Sequence, residues 1–295
     1  MYRSLINKSY EFFLKKKFIV KSKKISILIK KILPKNYFFY IIDVGAGGRY
    51  LPSVLNFDGF SKVFMIDPND NLNTSYNNLL KITVNKKNII PIKEGIHKKN
   101  GIINYYQAKK STGSSFINYD DDLKKTKKKV HTYQYLKKKY KILKVDILKV
   151  DIEGLELSVL KDVLSSSTPL IIEVEVNFKD SVFGDTFTSI HSLLSKKYFL
   201  KTGYPTFKKN ENKFNGNLSP FRQGSYASPS FRNPINQMDC YYILKKKNYN
   251  IYDLLLLIGY GFFDEAKKII KILDKQLNIN ERENLKKICN YFHEK

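Results

Sequence analysis

Short apolar runs alternate with helical segments along the middle of the chain. The runs are nearly continuous in hydrophobicity, which is typical of strands buried on both faces of a parallel sheet. With helical patterns between them, the β-α-β-α succession predicts a doubly wound, mostly parallel α/β sheet. Five runs form this succession and two later runs close the sheet, giving strands at residues 38–44, 62–66, 89–92, 147–150, 170–176, 198–200 and 239–244.

The basic segment 1–36 has the periodicity of a helix. Four apolar residues share the spacing of one helical face: Ile25, Leu28, Ile29 and Ile32. We interpret this segment as a helix that packs over the first strand of the sheet. A basic amphipathic helix lying on an anionic membrane is the alternative interpretation.

Residues 249–295 show three further apolar helical faces. Gly259 and Gly261 are expected to separate the first helix from the second. This segment is predicted to be a helical appendage that serves packing, or contacts in a homo-oligomer, rather than chemistry.

Two segments interrupt the regular pattern of the central domain, which we assign to residues 37–248. Residues 123–141 carry many lysines, and such a run predicts a solvated face or a loop. Residues 203–237 are rich in Gly, Pro, Asn and Ser. A loop of this length inside a compact domain is often a lid or a binding loop.

The composition indicates a globular protein with an unusual charge. In a chain of 295 residues, 42% are hydrophobic and 14% aromatic, which excludes wholesale disorder. The net charge is +26, yet only five of the 53 basic residues are arginines. Because phosphate-binding proteins favour the arginine fork, we attribute the lysine excess to genome composition and do not expect a nucleic-acid partner. Attraction to other anionic partners, including a membrane surface, stays open.

The sequence offers no disulfide framework and no membrane span. The chain has two cysteines, and neither has the spacing of a metal ligand pair. No apolar run reaches the length of a transmembrane helix, and lysines interrupt the only candidate signal peptide. We therefore expect a cytoplasmic protein.

The strongest local motif follows the first strand, where residues 43–48 read Asp-Val-Gly-Ala-Gly-Gly. Glycines at the carboxyl end of a strand allow a tight turn and a close approach to a ligand. The dinucleotide-binding pattern needs a third glycine at position 50, which is Tyr50. Asp67 ends the second strand, at the place where doubly wound folds bind ribose hydroxyls. An adenosyl ligand without pyrophosphate, such as S-adenosylmethionine, fits these features.

Carboxylates also stand at the ends of the fourth and fifth strands. Ionised groups in such apolar surroundings are costly unless they are paired or functional, so partnered structural acids are the alternative to a site. We take Asp151 as the first candidate for a general base. The full set of candidate catalytic residues is Asp151, Glu153, Glu173 and Glu175.

Residues 38–245 resemble the FkbM-type methyltransferases of the class I S-adenosylmethionine-dependent fold. The resemblance rests on the glycine turn, on Asp67-Pro68-Asn69, on Ser111–Ser115 and above all on Leu148–Gly154, which reads Leu-Lys-Val-Asp-Ile-Glu-Gly. It implies a seven-stranded sheet, a cofactor at the first glycine turn and an acidic residue that binds the cofactor's ribose. That residue is Asp67 here, whereas Glu is common in the family. We assign cofactor contacts to Asp43, Gly45, Ala46, Gly47, Gly48, Asp67, Pro68, Glu94 and Gly95.

The resemblance suggests O-methylation of a sugar, a glycan or another small molecule. RNA or DNA methylation, or a basic nucleic-acid-binding module, is the alternative. It lacks support from the Asn-Pro-Pro-aromatic motif of amino-methylating enzymes, since residues 151–154 read Asp-Ile-Glu-Gly. A noncatalytic binding protein with a degenerate cleft is a further alternative. No ligand spacing requires a metal, although the carboxylate cluster could hold Mg²⁺.

Overall fold

The computed structural model describes most of the chain between residues 23 and 286. The described ranges are 23–47, 52–83, 85–108, 114–118, 122–152, 154–177, 185–203, 237–273, 277–279, 281–283 and 285–286. The strands are β1 (Phe39–Val44), β2 (Ser61–Ile66), β3 (Ile89–Ile92), β4 (Gly95–Ile96), β5 (Gly101–Gln107), β6 (Lys124–His131), β7 (Ile147–Val150), β8 (Ile171–Asn177), β9 (Tyr198–Gly203) and β10 (Gln237–Leu244). The helices are α1 (23–32), α2 (Leu72–Leu80), α3 (Tyr133–Lys139), α4 (Glu156–Leu164), α5 (Phe187–Leu194), α6 (Ile251–Tyr260) and α7 (Phe263–Ile272).

The main sheet has seven strands in the order β3-β2-β1-β7-β8-β10-β9. Strands β3, β2, β1, β7 and β8 pair in parallel, and β10 is antiparallel to both of its neighbours. All seven predicted strands are therefore present, and the predicted mostly parallel sheet is confirmed. Because the strands run the same way, β1, β2 and β7 bring their carboxyl ends to one edge of the sheet.

Helices cover both faces of this sheet, as a doubly wound fold requires. One hydrophobic cluster joins the sheet to α1, α2, α6 and α7, and the other joins it to α3, α4 and α5. Ile25 and Ile29 of α1 are fully buried in the first cluster with Phe39 and Ile41 of β1. The predicted packing of the N-terminal helix over the first strand is confirmed for the part that is described.

The C-terminal helices pack against the same face as α1. The Asn250 side chain accepts from the Asp253 amide, and the Asp253 side chain accepts from the Asn250 amide, so a capping box begins α6. Gly261 ends α6 in the left-handed conformation. The prediction that Gly259 also separates the helices is wrong. This residue lies inside α6, where an added Cβ would lie 2.4 Å from the ring of Phe57.

A second, three-stranded sheet with the order β4-β6-β5 follows β3. Its strand β6 and helix α3 occupy the lysine-rich residues 123–141, so the prediction of a loop is wrong there. The prediction of a solvated face is correct for most of β6, whose burial is mainly confined to Val130 and His131. A lysine stem can cover apolar surface while its ammonium group stays in water, so lysines can occupy inward positions of a strand. The alternation of polar and apolar residues that indicates a strand is then absent from the sequence.

Several predictions fall on residues outside the described ranges. They concern residues 1–22, nearly all of the 203–237 loop, and the end of the C-terminal appendage. The domain boundaries at 36 and 248 stay predictions. Among the described helices, none is long and apolar enough to cross a bilayer.

Candidate active site

The glycine turn after β1 is wedged between the ends of two other strands. The Gly45 amide donates to the Ile66 carbonyl of β2 at 2.9 Å. Gly45 has a φ of +87°, and an added Cβ would lie 1.7 Å from the carbonyl oxygen of Asp151. Both the backbone conformation and the close approach require glycine at this position.

Gly47 of the same turn is bound to the carboxylate of Asp67. The Gly47 amide donates to Oδ2 of Asp67 at 2.8 Å, and the Asn69 amide donates to Oδ1 at 2.7 Å. Asp67 is only 8% exposed. This burial raises the pKa of Asp67 to about 6, against the lowering effect of the two amide hydrogen bonds. The turn and the end of β2 thus share one buried carboxylate.

A row of charged side chains crosses β1, β7 and β8 beneath this edge. Asp43, Lys149 and Glu173 are register partners on adjacent strands, and all three are buried. The Lys149 Nζ lies 3.4 Å from Asp43 Oδ1 and 3.0 Å from Asp151 Oδ2. Burial alone would lower the pKa of Lys149, but Asp151, Asp43 and Glu173 outweigh it and raise the pKa. Lys149 is therefore a permanent cation among carboxylates.

The C-terminal appendage reaches the end of this row. The Tyr260 hydroxyl, at the end of α6, donates to Oε2 of Glu173. Tyr260 also stacks on Phe262, and Tyr241 of β10 is the register partner of Glu173. The appendage thus contributes a polar group to the charged row, in addition to the apolar packing that the sequence predicted.

The loop after β7 is organised around Glu156. The Glu156 carboxylate accepts from the amides of Ile152, at 3.2 Å, and Gly154, at 3.0 Å. Burial raises the pKa of Glu156 to about 7, although these hydrogen bonds lower it. The loop that carries Asp151 is therefore closed by an acid at the first turn of α4.

Two other predicted cofactor contacts, Glu94 and Gly95, follow β3, the strand that pairs with β2. Glu94 comes just after β3 and accepts from Lys139 Nζ at 2.6 Å. Gly95 begins β4, and an added Cβ would lie 2.7 Å from the Phe116 ring. Asn69 Nδ2 donates to Ser114 Oγ at 3.1 Å, which links the end of β2 to the second sheet.

The structure brings most of the predicted residues to the carboxyl edge of the sheet. Asp43, Gly45, Ala46, Gly47, Asp67, Pro68 and Asp151 lie at the ends of β1, β2 and β7. Glu175 is half-buried, two residues beyond Glu173 in β8. Gly48 and Glu153 lie outside the described residues.

Three described residues of this region were not identified as site residues from the sequence. Lys149 carried one signal, which is a lysine inside an otherwise apolar strand. Glu156 carried a weaker one, an acid in the first turn of a predicted helix. Tyr260 carried none, since its contact with Glu173 depends on how α6 packs against the sheet.

Two described cavities lie elsewhere. Cavities of about 360 Å³ and about 260 Å³ open near the amino ends of β7 and β8, where Ser167 and Thr168 line both. The carboxylates and the glycine turn stand at the opposite ends of these strands. The candidate site is therefore the carboxyl edge, and neither of these two cavities opens there.

Comparisons with known proteins bear on this edge of the sheet. Residues 43–204, more than half of the chain, match the methyltransferase FkbM domain. This range includes the glycine turn, Asp67, Lys149 and Asp151. No curated protein gives a significant match to the chain.

Two solved structures are similar to parts of the chain. The crystal structure of the methyltransferase FkbM from Methylobacillus flagellatus KT is 20% identical, with a TM-score of 0.37. The similarity covers 55% of this chain but only 39% of that protein. A putative methyltransferase from Thermoplasma acidophilum is 12% identical, with a TM-score of 0.35, over 73% of this chain and 71% of that one. With the domain match over more than half of its length, the chain belongs to the FkbM methyltransferase family.

Proposed function

We propose that the protein is an S-adenosylmethionine-dependent methyltransferase that methylates a hydroxyl group of a sugar, a glycan or another small molecule. The family match supports methyl transfer as the activity. The observation that carries the proposal is the Gly47–Asp67 hydrogen bond at the carboxyl edge, next to the strand that bears Asp151. Open α/β sheets bind their ligands at this edge.

The residues at this edge fit the adenosyl part of the cofactor. Each carboxylate oxygen of Asp67 accepts one backbone amide, and a carboxylate offers about four acceptor positions. Acceptor capacity therefore remains for ribose hydroxyls. An added Cβ at Gly47 would lie 2.6 Å from Asp67 Oδ2, so the glycine keeps the turn close to the acid. The bound cofactor would supply a methyl group on a good sulfonium leaving group.

Among the residues that the structure describes, Asp151 is best suited to accept the proton of a hydroxyl acceptor. Its side chain is 33% exposed, and Lys149 Nζ lies 3.0 Å from Oδ2, which favours the charged carboxylate and fixes its orientation. A positioned base contributes about 10²–10⁴-fold to such a transfer. Glu173 is buried and accepts from Tyr260, an arrangement that suits positioning better than proton transfer.

Calorimetric titration of the full chain tests cofactor use. We expect S-adenosylhomocysteine to bind with a Kd in the micromolar range, about −8 kcal/mol, while NADH and a short RNA give no heat. Binding of NADH instead would make the protein a dehydrogenase. RNA binding with a steep salt dependence would favour the nucleic-acid alternative. If none of the three ligands binds, the alternative of a degenerate cleft is favoured.

Methyl transfer is tested with labelled S-adenosylmethionine and a carbohydrate extract of the host. Asp151→Asn should lower incorporation at least about 100-fold, with binding of S-adenosylhomocysteine largely kept. Asp70→Asn is the control, because that acid lies on the surface with a 74% exposed side chain. Near-normal incorporation by Asp151→Asn would remove this residue from the role of base.

A further inference from the structure

The outward face of the β5–β6 hairpin combines lysines with an exposed apolar side chain. The antiparallel register sets Ile102 opposite Lys129 and places two further pairs along the same strands. Since alternate residues of a strand point to the same side, six side chains share this face. These are Ile102, Asn104, Tyr106, Lys125, Lys127 and Lys129.

This face is open to solvent, whereas the opposite face packs inward. Tyr105 and Val130, which point inward, are 3% and 0% exposed, while Ile102 is 70% exposed. Lys125 and Lys127 are exposed, and neither makes an ion pair with a described residue. The Lys129 side chain is 57% exposed, and its Nζ lies 4.0 Å from Oε1 of Glu94. Neither strand contains an acidic residue, although residues 120–122, just before β6, are three aspartates. The three lysines form a row with steps of about 7 Å, at two residues per step.

The hairpin stands beside the candidate active site. Lys128, on the inward face of β6, lies 3.5 Å from Asp70 Oδ2 in the segment that follows Asp67. Ser114, next to β5, accepts from Asn69 at 3.1 Å. Whatever binds the outward face is therefore held close to the carboxyl edge of the main sheet.

We propose that this face docks the protein on an anionic lipid surface. Charge complementarity carries the proposal, because Lys125 and Lys127 face outward without an ion pair to a described residue. A surface lysine near anionic lipid contributes about fivefold to binding. Ile102 adds an apolar side chain that can enter the interface between headgroups and acyl chains. That the methyl acceptor is itself presented at this surface rests on the proposed function; the docking does not.

A single-stranded nucleic acid is the less suitable occupant of this face. Proteins that bind it combine positive charge with exposed aromatic rings on which bases stack. Tyr106 is half-buried and is the sole aromatic residue among the six side chains. The face also lacks arginine, the residue that forms bidentate contacts with phosphate.

Sedimentation of the full chain with vesicles tests the docking. We expect binding to vesicles of phosphatidylcholine with phosphatidylserine, weakening with salt, and little binding to phosphatidylcholine alone. The double variant Lys125→Gln/Lys127→Gln should lose binding about 30-fold. It leaves Lys129, an ion-pair partner of Glu94, in place. At a salt concentration that screens the lysines, Ile102→Ser should bind the vesicles more weakly than the wild type does.

The matched control is Lys268→Gln/Lys271→Gln on α7, which removes the same charge from another exposed surface. This variant should keep most of the vesicle binding. Equal losses in both double variants would show attraction by total charge and overturn the proposal, as would binding to RNA without binding to anionic vesicles. Titration of each variant with S-adenosylhomocysteine is a separate readout, so a failure of the proposed cofactor is distinguishable from a failure of docking.

Discussion

The amide of Gly47 donates to the carboxylate of Asp67 at 2.8 Å, and this carboxylate is almost completely buried. Burial raises its pKa from 3.8 to about 6. The folded protein therefore binds a proton at Asp67 more readily than the unfolded chain does. Between these two values, stability must fall as pH rises, because ionisation is harder in the folded state.

Replacing Asp67 by Asn should remove this pH dependence. The free energy of unfolding of the wild type should rise relative to that of Asp67→Asn as pH falls from about 6 to about 4, by up to about 3 kcal/mol. Urea unfolding followed by circular dichroism measures this difference. Asp70→Asn removes an exposed carboxylate and is the control for the loss of one acid. Parallel pH profiles of wild type and Asp67→Asn would show that Asp67 ionises normally.

The steric demand at Gly45 can be separated from its backbone conformation. Gly45 and Gly59 both have positive φ values, +87° and +91°, but an added Cβ meets Asp151 only at Gly45. Gly59→Ala should cost about 1–2 kcal/mol of stability for the left-handed conformation alone. Gly45→Ala should cost more and should weaken S-adenosylhomocysteine binding, as measured by urea unfolding and calorimetry. Equal costs would mean that the contact with Asp151 relaxes freely.

The main sheet could be predicted because its strands are short apolar runs between helices. The second sheet could not, since β6 reads as five lysines around Thr126. Its inward positions include Lys128, whose side chain is only 17% exposed and whose ammonium group pairs with Asp70. The lysine stem there takes the place of an apolar residue, so the alternation that indicates a strand is absent from the sequence.

Part of the candidate site could likewise be predicted from the sequence, and part could not. The glycine turn and Asp67 could be predicted because both follow apolar strands and lie at the expected distance in sequence. The role of Lys149 could not, because it depends on the register of β1, β7 and β8, which are far apart in the chain. Local sequence therefore predicts which strand ends carry chemistry, while the partners of each charge follow from the pairing of the strands.

Lys149 should be essential to the stability of the charged row. It is the cation between Asp43 and Asp151, at 3.4 and 3.0 Å. Lys149→Met would leave buried carboxylates without this partner, which costs about 3–5 kcal/mol when a buried ion pair is broken. Lys62→Met on β2 is the matched control and should cost about 1 kcal/mol or less, the worth of its contacts with aromatic rings.

The Lys149 variants are compared by urea unfolding. Lys149→Arg should recover part of the stability, because it keeps the charge. If Lys149→Met were as stable as the wild type, the carboxylates of the row would have to be protonated or satisfied by other donors.

The hydrogen bond from Tyr260 to Glu173 connects the C-terminal appendage to the charged row, and its loss should be measurable. Tyr260→Phe keeps the ring that stacks on Phe262 but removes the donor from a buried carboxylate, so we expect a loss of about 1–3 kcal/mol. Tyr135→Phe, at a 41% exposed tyrosine, should change stability by less than about 0.5 kcal/mol. Unfolding followed by circular dichroism checks both values.

Because Tyr260 and Glu173 lie 87 residues apart in the chain, a full loss of this size would mean that α6 and the sheet stabilise each other directly. A negligible loss would reduce the appendage to apolar packing.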